Sequence, residues 1–297
     1  MTDTIECDDL QQEPLVVSGN SSFSISDEEF SDIRDLLLES HGFNLDAYKD
    51  SCVRRRIAIR IRATHCQDVR QYCDHLISHK PEVDSLLKVL TIHVSQFFRN
   101  PSLYEKISRE IFPKLFAAAS KRGAKSLRVW SLGCAWGEEP YSIALILAEQ
   151  FGEMIKEIPV KIDATDVDLS TIEQARRGVY PSERLLELPE LYRTKYFQEH
   201  DGQFMLADEI IRMVTFNTGD MLSDALYSNC DLLLCRNVLI YFSREQQEKV
   251  YRNISRVLNP DGYMILGKSE TLLGGSRALF QTICPEERIY RPVITAY

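Results

Sequence analysis

Four polar clusters stand at the ends of apolar runs in this chain, and each carries residue types suited to holding a small charged ligand. The first follows Leu127–Leu132 and reads SLGCAWGEEPYS over 131–142. Gly133 and Gly137 let the backbone turn tightly and approach a ligand. Their spacing is G-x-x-x-G, not the G-x-G-x-x-G of a dinucleotide site. Glu138 follows the second glycine, where a carboxylate repels a pyrophosphate and suits a cation. S-adenosylmethionine, with a sulfonium and an ammonium group, is such a cation. The second cluster, 165–168, ends the run Val160–Ala164 and holds Asp166 and Asp168. One acid there can accept from both ribose hydroxyls and the other can cap the next helix. We assign Asp166 to the ribose and Asp168 to the cap. The third is Asp220-Met221, after Val214–Phe216. Asp220 suits an adenine amino group with Met221 against the ring, or it is an ordinary loop acid; the residues leave both open. The fourth is Arg236-Asn237 within CRNVLIYF, 235–242. So polar a pair is costly inside an apolar run unless it faces a cleft. Val238-Leu239 follow Asn237 in place of the Pro-Pro-aromatic of base amino-methylases, which disfavours a nucleic-acid substrate.

Two further segments are charged among apolar neighbours. TIHVSQFFRN, 91–100, holds His93, Ser95 and Arg99. Taken alone, a core histidine and a surface arginine are the simpler reading. Residues 54–62 hold Arg54, Arg55, Arg56, Arg60 and Arg62. On a helical wheel Val53, Ile57 and Ile61 form one face, with Arg55 and Arg62 nearly opposite. Such arginines often snorkel over apolar surface. Here residues 1–50 carry thirteen acids and two bases, and 51–99 carry nine bases and four acids. A basic helix in an acidic chain favours docking to an acidic partner.

These clusters need elements to position them. Residues 1–22 are acidic and polar, as in a disordered tail. Residues 23–96 read as an N-terminal all-α domain. Ser26 begins the first helix with Asp27, Glu28 and Glu29 in its first turn. Further helices follow over about 48–63 and 67–79, and one from Pro81. From 97 to 297 strands alternate with helices, the pattern of a doubly wound α/β sheet. Its strands are Leu127–Leu132, Val160–Ala164, Val214–Phe216, Asp231–Cys235, Tyr263–Leu266 and a last edge strand over Arg288–Val293. Residues 180–213 are too long for a plain loop and read as a small inserted β-subdomain.

The whole chain sets bounds. Its 297 residues suffice for two modest domains. No apolar run is long enough to cross a bilayer and no signal peptide opens the chain, so a cytoplasmic protein is expected. The net charge of −9 argues against general nucleic-acid binding. The eight cysteines form no CxxC pair and no zinc-ligand spacing, so reduced, mostly buried thiols and no metal are expected.

Together these segments resemble the CheR family of chemotaxis methyltransferases. The stretches that carry the resemblance are SQFFRN (95–100), VWSLGCAWGEEPYSIA (129–144), ATDVDLSTIEQARRGVY (164–180), LLCRNVLIYF (233–242) and LNPDGYMILGKSE (258–270). The resemblance implies an S-adenosylmethionine-dependent methyltransferase with a Rossmann-like domain. Its expected substrates are glutamate side chains on the cytoplasmic helical region of membrane-bound chemoreceptors. It implies cofactor contacts from His93, Ser95, Arg99, Glu138, Asp166, Asp220, Met221, Asn237 and Val238. It makes Arg99 and Tyr241 candidates for the methyl-transfer centre. It gives the five arginines of 54–62 an acidic receptor surface to dock, with no direct membrane insertion and a monomeric enzyme. Three departures stand out. His93 replaces a usual Asn, and Asp220-Met221 replaces Asn-Leu. Trp136 fills a position normally small, which would crowd the methionine end of the cofactor. The segment between Phe197 and Val214 is short for binding a receptor C-terminal tether.

Other readings are a non-catalytic module that binds S-adenosylmethionine or S-adenosylhomocysteine, and a methyltransferase acting on another protein. A nicotinamide-dependent oxidoreductase lacks its glycine fingerprint here.

Overall fold

Helical periodicity in the first hundred residues becomes four helices in the computed structural model, which describes residues 25–41, 43, 45–90, 95–222 and 229–293. The acidic tail expected over 1–22 lies outside these residues. Helix α1 spans Asp27–His41. Its start is a capping box: Glu29 N donates to Ser26 Oγ at 3.2 Å and Ser26 N donates to the Glu29 carboxylate at 2.8 Å. Helices α2 (Asp50–Ala63), α3 (Val69–Ser78) and α4 (Lys80–Leu90) complete the bundle. Phe30, Ile33 and Leu37 of α1 pack with Val53, Ile57 and Ile61 of α2, Tyr72 and Leu76 of α3 and Leu86 and Leu90 of α4.

A helix over 101–121 leads to the sheet. It comprises α5 (Pro101–Lys106), a π turn (Ile107–Ile111) and α6 (Phe112–Lys121). Then come β1 (Leu127–Leu132), α7 (Glu138–Gln150), α8 (Gly152–Glu157), β2 (Val160–Asp166) and α9 (Leu169–Arg177). The insert contains β3 (Val179–Pro181), α10 (Glu190–Tyr196), β4 (Phe197–His200), β5 (Gln203–Leu206) and α11 (Asp208–Ile211). The chain returns to the sheet with β6 (Val214–Thr218), β7 (Cys230–Cys235), α12 (Arg244–Val257), β8 (Leu258–Leu266), β9 (Phe280–Cys284) and β10 (Ile289–Pro292).

The main sheet has the order β6-β2-β1-β7-β8-β10-β9. Its first five strands are parallel, and β10 and β9 add antiparallel. Residues of β7 alternate between two cores: Leu232 and Leu234 face one, Leu233 and Cys235 the other. Burial on both faces explains why this strand reads as an unbroken apolar run. The insert forms its own antiparallel sheet, β3-β5-β4, joined by the tight hairpin Asp201-Gly202. The expected edge strand over Arg288–Val293 is corrected. Its core, β10, lies inside the sheet, and β9 covers it as the edge. The β9 pattern of buried ends around Gln281, Thr282 and Ile283 is that of an edge strand facing solvent.

Candidate active site

The carboxyl ends of β1, β2, β6 and β7 open into one cleft. It lies where the chain leaves β1 for β2 on one side and β7 on the other, the switch point where doubly wound sheets bind ligands. The glycine loop forms its floor. Gly133 has φ +76°, and a Cβ there would lie 2.6 Å from Val238 Cγ2, so no side chain fits. Ala135 N donates to the Asp166 carboxylate at 3.0 Å, and Asp168 N donates to its other oxygen at 3.1 Å. A carboxylate has about four acceptor positions, and Asp166 also lines the cleft. Asp168 instead caps α9, accepting from Ser170 N at 2.8 Å and Thr171 N at 3.4 Å. Two acids two residues apart thus do different work.

Glu138 requires a correction. It is fully buried, ion-pairs with Arg184 at 2.9 Å and does not line the cleft. Its neighbour Glu139 does. Glu139 accepts from Ser131 Oγ at 2.8 Å and pairs with Arg236 at 3.4 Å. Burial pushes the Glu139 carboxyl above the usual range, against the pull of Arg236. The choice between two adjacent acids at a helix start is a matter of rotation about the helix axis, about 100° per residue. Trp136 is corrected too. Arg184 stacks over its ring at 4.5 Å, and its carbonyl accepts from Tyr180 Oη at 2.7 Å. The ring packs toward the inserted sheet and is absent from the cleft wall.

Arg236 does more than face the cleft. Its side chain is buried. It donates to the Arg99 carbonyl at 3.0 Å and to Asn100 Oδ1 at 2.6 Å, and it faces Glu139. It therefore ties the FFRN segment to the end of β7. Arg99, Ser95 and Gln96 line the cleft from that segment. Arg184 N–H groups hold Ser95 O and Glu138 together. His93 lies outside the described residues. Asn237 and Val238 line the opposite wall, with Asn237 at φ +60°. Their turn is held by Glu270, whose carboxylate accepts from Asn237 N, Val238 N, Leu239 N and Gly267 N at 2.6–3.0 Å. Burial pushes the Glu270 carboxyl up, and those four N–H groups pull it back in part. Glu270 closes the GKSE stretch, which was the only signal for it. Asp220, Met221 and Tyr241 complete the cleft. Asp220 also accepts from Leu222 N at 2.8 Å.

The arginines of α2 divide. Arg54 ion-pairs with Asp27 at 2.7 Å and lies over the Phe30 ring. Arg56 is buried, donates to the Leu90 carbonyl and sits 4.5 Å from the centre of the Tyr241 ring. Arg60 grips the buried Glu82 carboxylate with two N–H groups at 3.0 and 2.6 Å. Arg56 is interior and is corrected as a docking residue, while Arg54 and Arg60 are half-buried and already engaged in ion pairs within the chain. Arg55 and Arg62 are exposed, with half-exposed Ile59 between them.

Comparison with known proteins completes the assignment. Residues 93–288 match the family described as CheR methyltransferase, SAM binding domain, and residues 28–91 match CheR methyltransferase, all-alpha domain. This chain belongs to the CheR methyltransferase family. It is 31% identical to chemotaxis protein methyltransferase 2 of Pseudomonas aeruginosa over 91% of this chain and 97% of that one. It is 28% identical to the chemotaxis protein methyltransferase of Borreliella burgdorferi over 86% of this chain and 92% of that one. It also matches an uncharacterized 104.1 kDa protein of Rhodobacter capsulatus, 33% identical over 83% of this chain but only 26% of that protein. A CheR methyltransferase uses S-adenosylmethionine, and the lining of this cleft fits it. Asp166 and Asp220 are carboxylates able to accept from hydroxyl and amino groups, Met221, Leu222 and Val238 offer apolar surface, and Glu139 is an acid on the wall.

Proposed function

We propose that this CheR methyltransferase esterifies glutamate carboxylates on the cytoplasmic helices of chemoreceptors. The observation that carries the reading is the convergence of Arg99, Tyr241, Asn237, Val238, Asp166 and Asp220 on one cleft. Asp166 takes the ribose hydroxyls. Asp220 and Met221 take the adenine, and Ser95 and Val238 border it. Glu139, in place of Glu138, faces the cationic end. S-adenosylmethionine supplies an electrophilic methyl group on a sulfonium sulfur. The acceptor carboxylate is ionised at neutral pH and is already a nucleophile, so the site requires no catalytic base. Arg99 orients the acceptor carboxylate, and Arg236 fixes the backbone of Arg99. Burial raises the Tyr241 phenol despite the nearby Arg56, so Tyr241 Oη keeps its proton. The chain's contribution is alignment and exclusion of water.

The helical unit, 23–96, docks the acidic receptor helix through Arg55 and Arg62. The unit over 97–297, with its insert at 180–213, binds cofactor and transfers the methyl group. The enzyme acts as a monomer at the cytoplasmic face. Among the described residues no helix is long and apolar enough to cross a membrane. The two-residue hairpin at Asp201-Gly202 favours docking without a C-terminal tether. Trp136 packed away from the cleft removes the main reason for a non-catalytic reading.

Calorimetric titration with S-adenosylhomocysteine, followed by transfer of labelled methyl groups to a receptor cytoplasmic fragment, tests the proposal. Micromolar binding and an alkali-labile product are expected, since carboxylate methyl esters hydrolyse in base. Label stable to alkali would overturn the glutamate assignment. Arg99→Ala is expected to lower kcat about a hundredfold while cofactor affinity falls less. Near-normal turnover in that variant would remove Arg99 from the mechanism.

A further inference from the structure

The helical unit reaches into the cofactor cleft as well as toward a partner. Before α2 the chain makes a 3-10 turn, Leu45–Ala47, and then crosses the turn that follows β7. Ser243 N donates to the Ala47 carbonyl at 2.9 Å, and Lys49 N donates to the Tyr241 carbonyl at 2.9 Å. Tyr48 lies between these two bonds and forms a β-bridge with Phe242. Its ring stacks with two neighbours. Phe242 stacks at 4.9 Å and 26°, and Phe43 at 5.6 Å and 16°.

A ring stacked with two others has less face to offer a ligand. It offers its edge and its hydroxyl. Tyr48 lines the cleft together with Asp166, Asp220 and Met221. Among the described residues its hydroxyl has no hydrogen-bond partner. Burial raises the phenol first, and the Asp220 and Asp166 carboxylates raise it further. The hydroxyl therefore stays protonated, a donor and acceptor near the two acids assigned to the nucleoside.

We propose that Tyr48 is a cofactor-binding residue contributed by the helical unit, its Oη hydrogen-bonding the polar edge of the nucleoside between Asp166 and Asp220. The proposal rests on the assignment of this cleft to S-adenosylmethionine. It makes the binding site composite, because the catalytic sheet alone lacks this group.

Tyr48→Phe tests it in the full-length chain, because it keeps both ring stacks and removes one oxygen. Calorimetry is carried out with S-adenosylhomocysteine and with 5′-methylthioadenosine, which lacks the amino-acid end. Loss of one neutral hydrogen bond predicts Kd values about fivefold higher. The factor should be the same for both ligands, and the melting temperature of the ligand-free protein should not change. Unchanged affinity for both ligands in Tyr48→Phe would overturn the proposal while leaving the cofactor assignment intact. A factor seen with S-adenosylhomocysteine but not with 5′-methylthioadenosine would also overturn it, by moving Tyr48 to the methionine end. If the unaltered chain bound neither ligand, the cofactor assignment itself would fail.

Discussion

A buried carboxylate that accepts four backbone N–H groups has a clear structural task, and Glu270 has it here. Three of those groups belong to Asn237, Val238 and Leu239, the turn that forms one wall of the cleft. Glu270→Gln turns an all-acceptor group into one that is half donor. Its amide nitrogen must face an N–H group in at least one place. The expected cost is about 2 kcal/mol of stability by denaturant titration. S-adenosylhomocysteine affinity should fall about tenfold as the turn loosens. Unchanged affinity would show that the turn holds itself. The same comparison shows what can be read from residue types alone. The cap at Asp168 was legible, because one of two acids before a helix is free to cap it. The choice between Glu138 and Glu139 was not. Both are acids at the start of α7, and the choice depends on Arg184, which arrives from 46 residues away.

Helix α2 has a buried face and an exposed face, and its wheel shows this in part. Val53, Ile57 and Ile61 mark the buried side, which places Arg55 and Arg62 outside. The wheel cannot say that Arg56 would find Tyr241, or Arg60 find Glu82, because both partners come from other elements. Variants should separate the two faces. Arg55→Ala with Arg62→Ala should raise KM for the acceptor and flatten its rise with salt, since exposed charges are screened. Arg56→Met should lower kcat roughly tenfold with the salt dependence kept, because it removes the cation over the Tyr241 ring. Arg56→Lys should recover part of that loss. If both sets gave the same phenotype, α2 would have a single function. Elsewhere the element pattern was clear wherever burial was one-sided or complete. It was missed in the helix over 101–121, where Leu103, Ile107, Ile111 and Leu115 recur every four residues. That spacing overshoots an α-helical turn, and the π turn at Ile107–Ile111 takes up the difference. Within the insert, β5 alternates exposed and buried residues as a strand does, whereas β4 shows no such alternation.

Acid should disable this molecule in two stages. Burial raises the Glu139 carboxyl, so it gains a proton as pH falls while still above the ordinary carboxylate range near 4.3. A raised carboxyl that takes up its proton favours the folded state, so this step does not unfold the chain. It removes negative charge from the cleft wall. Glu82 behaves in the opposite way. Burial alone would raise it, but Arg60 and Tyr72 outweigh burial and hold it below its usual value. A depressed carboxyl contributes stability that is lost only as pH falls through its folded value, below the ordinary range. The clamp between α2, α3 and α4 therefore outlasts the charge in the cleft. S-adenosylmethionine affinity should decline as pH falls toward the ordinary carboxylate range, before far-ultraviolet circular dichroism changes. Glu139→Gln should bind more weakly at pH 7 and lose the decline. A variant that kept the full pH dependence would show that another group titrates in the cleft, and a loss of ellipticity in the same window would make the two stages one.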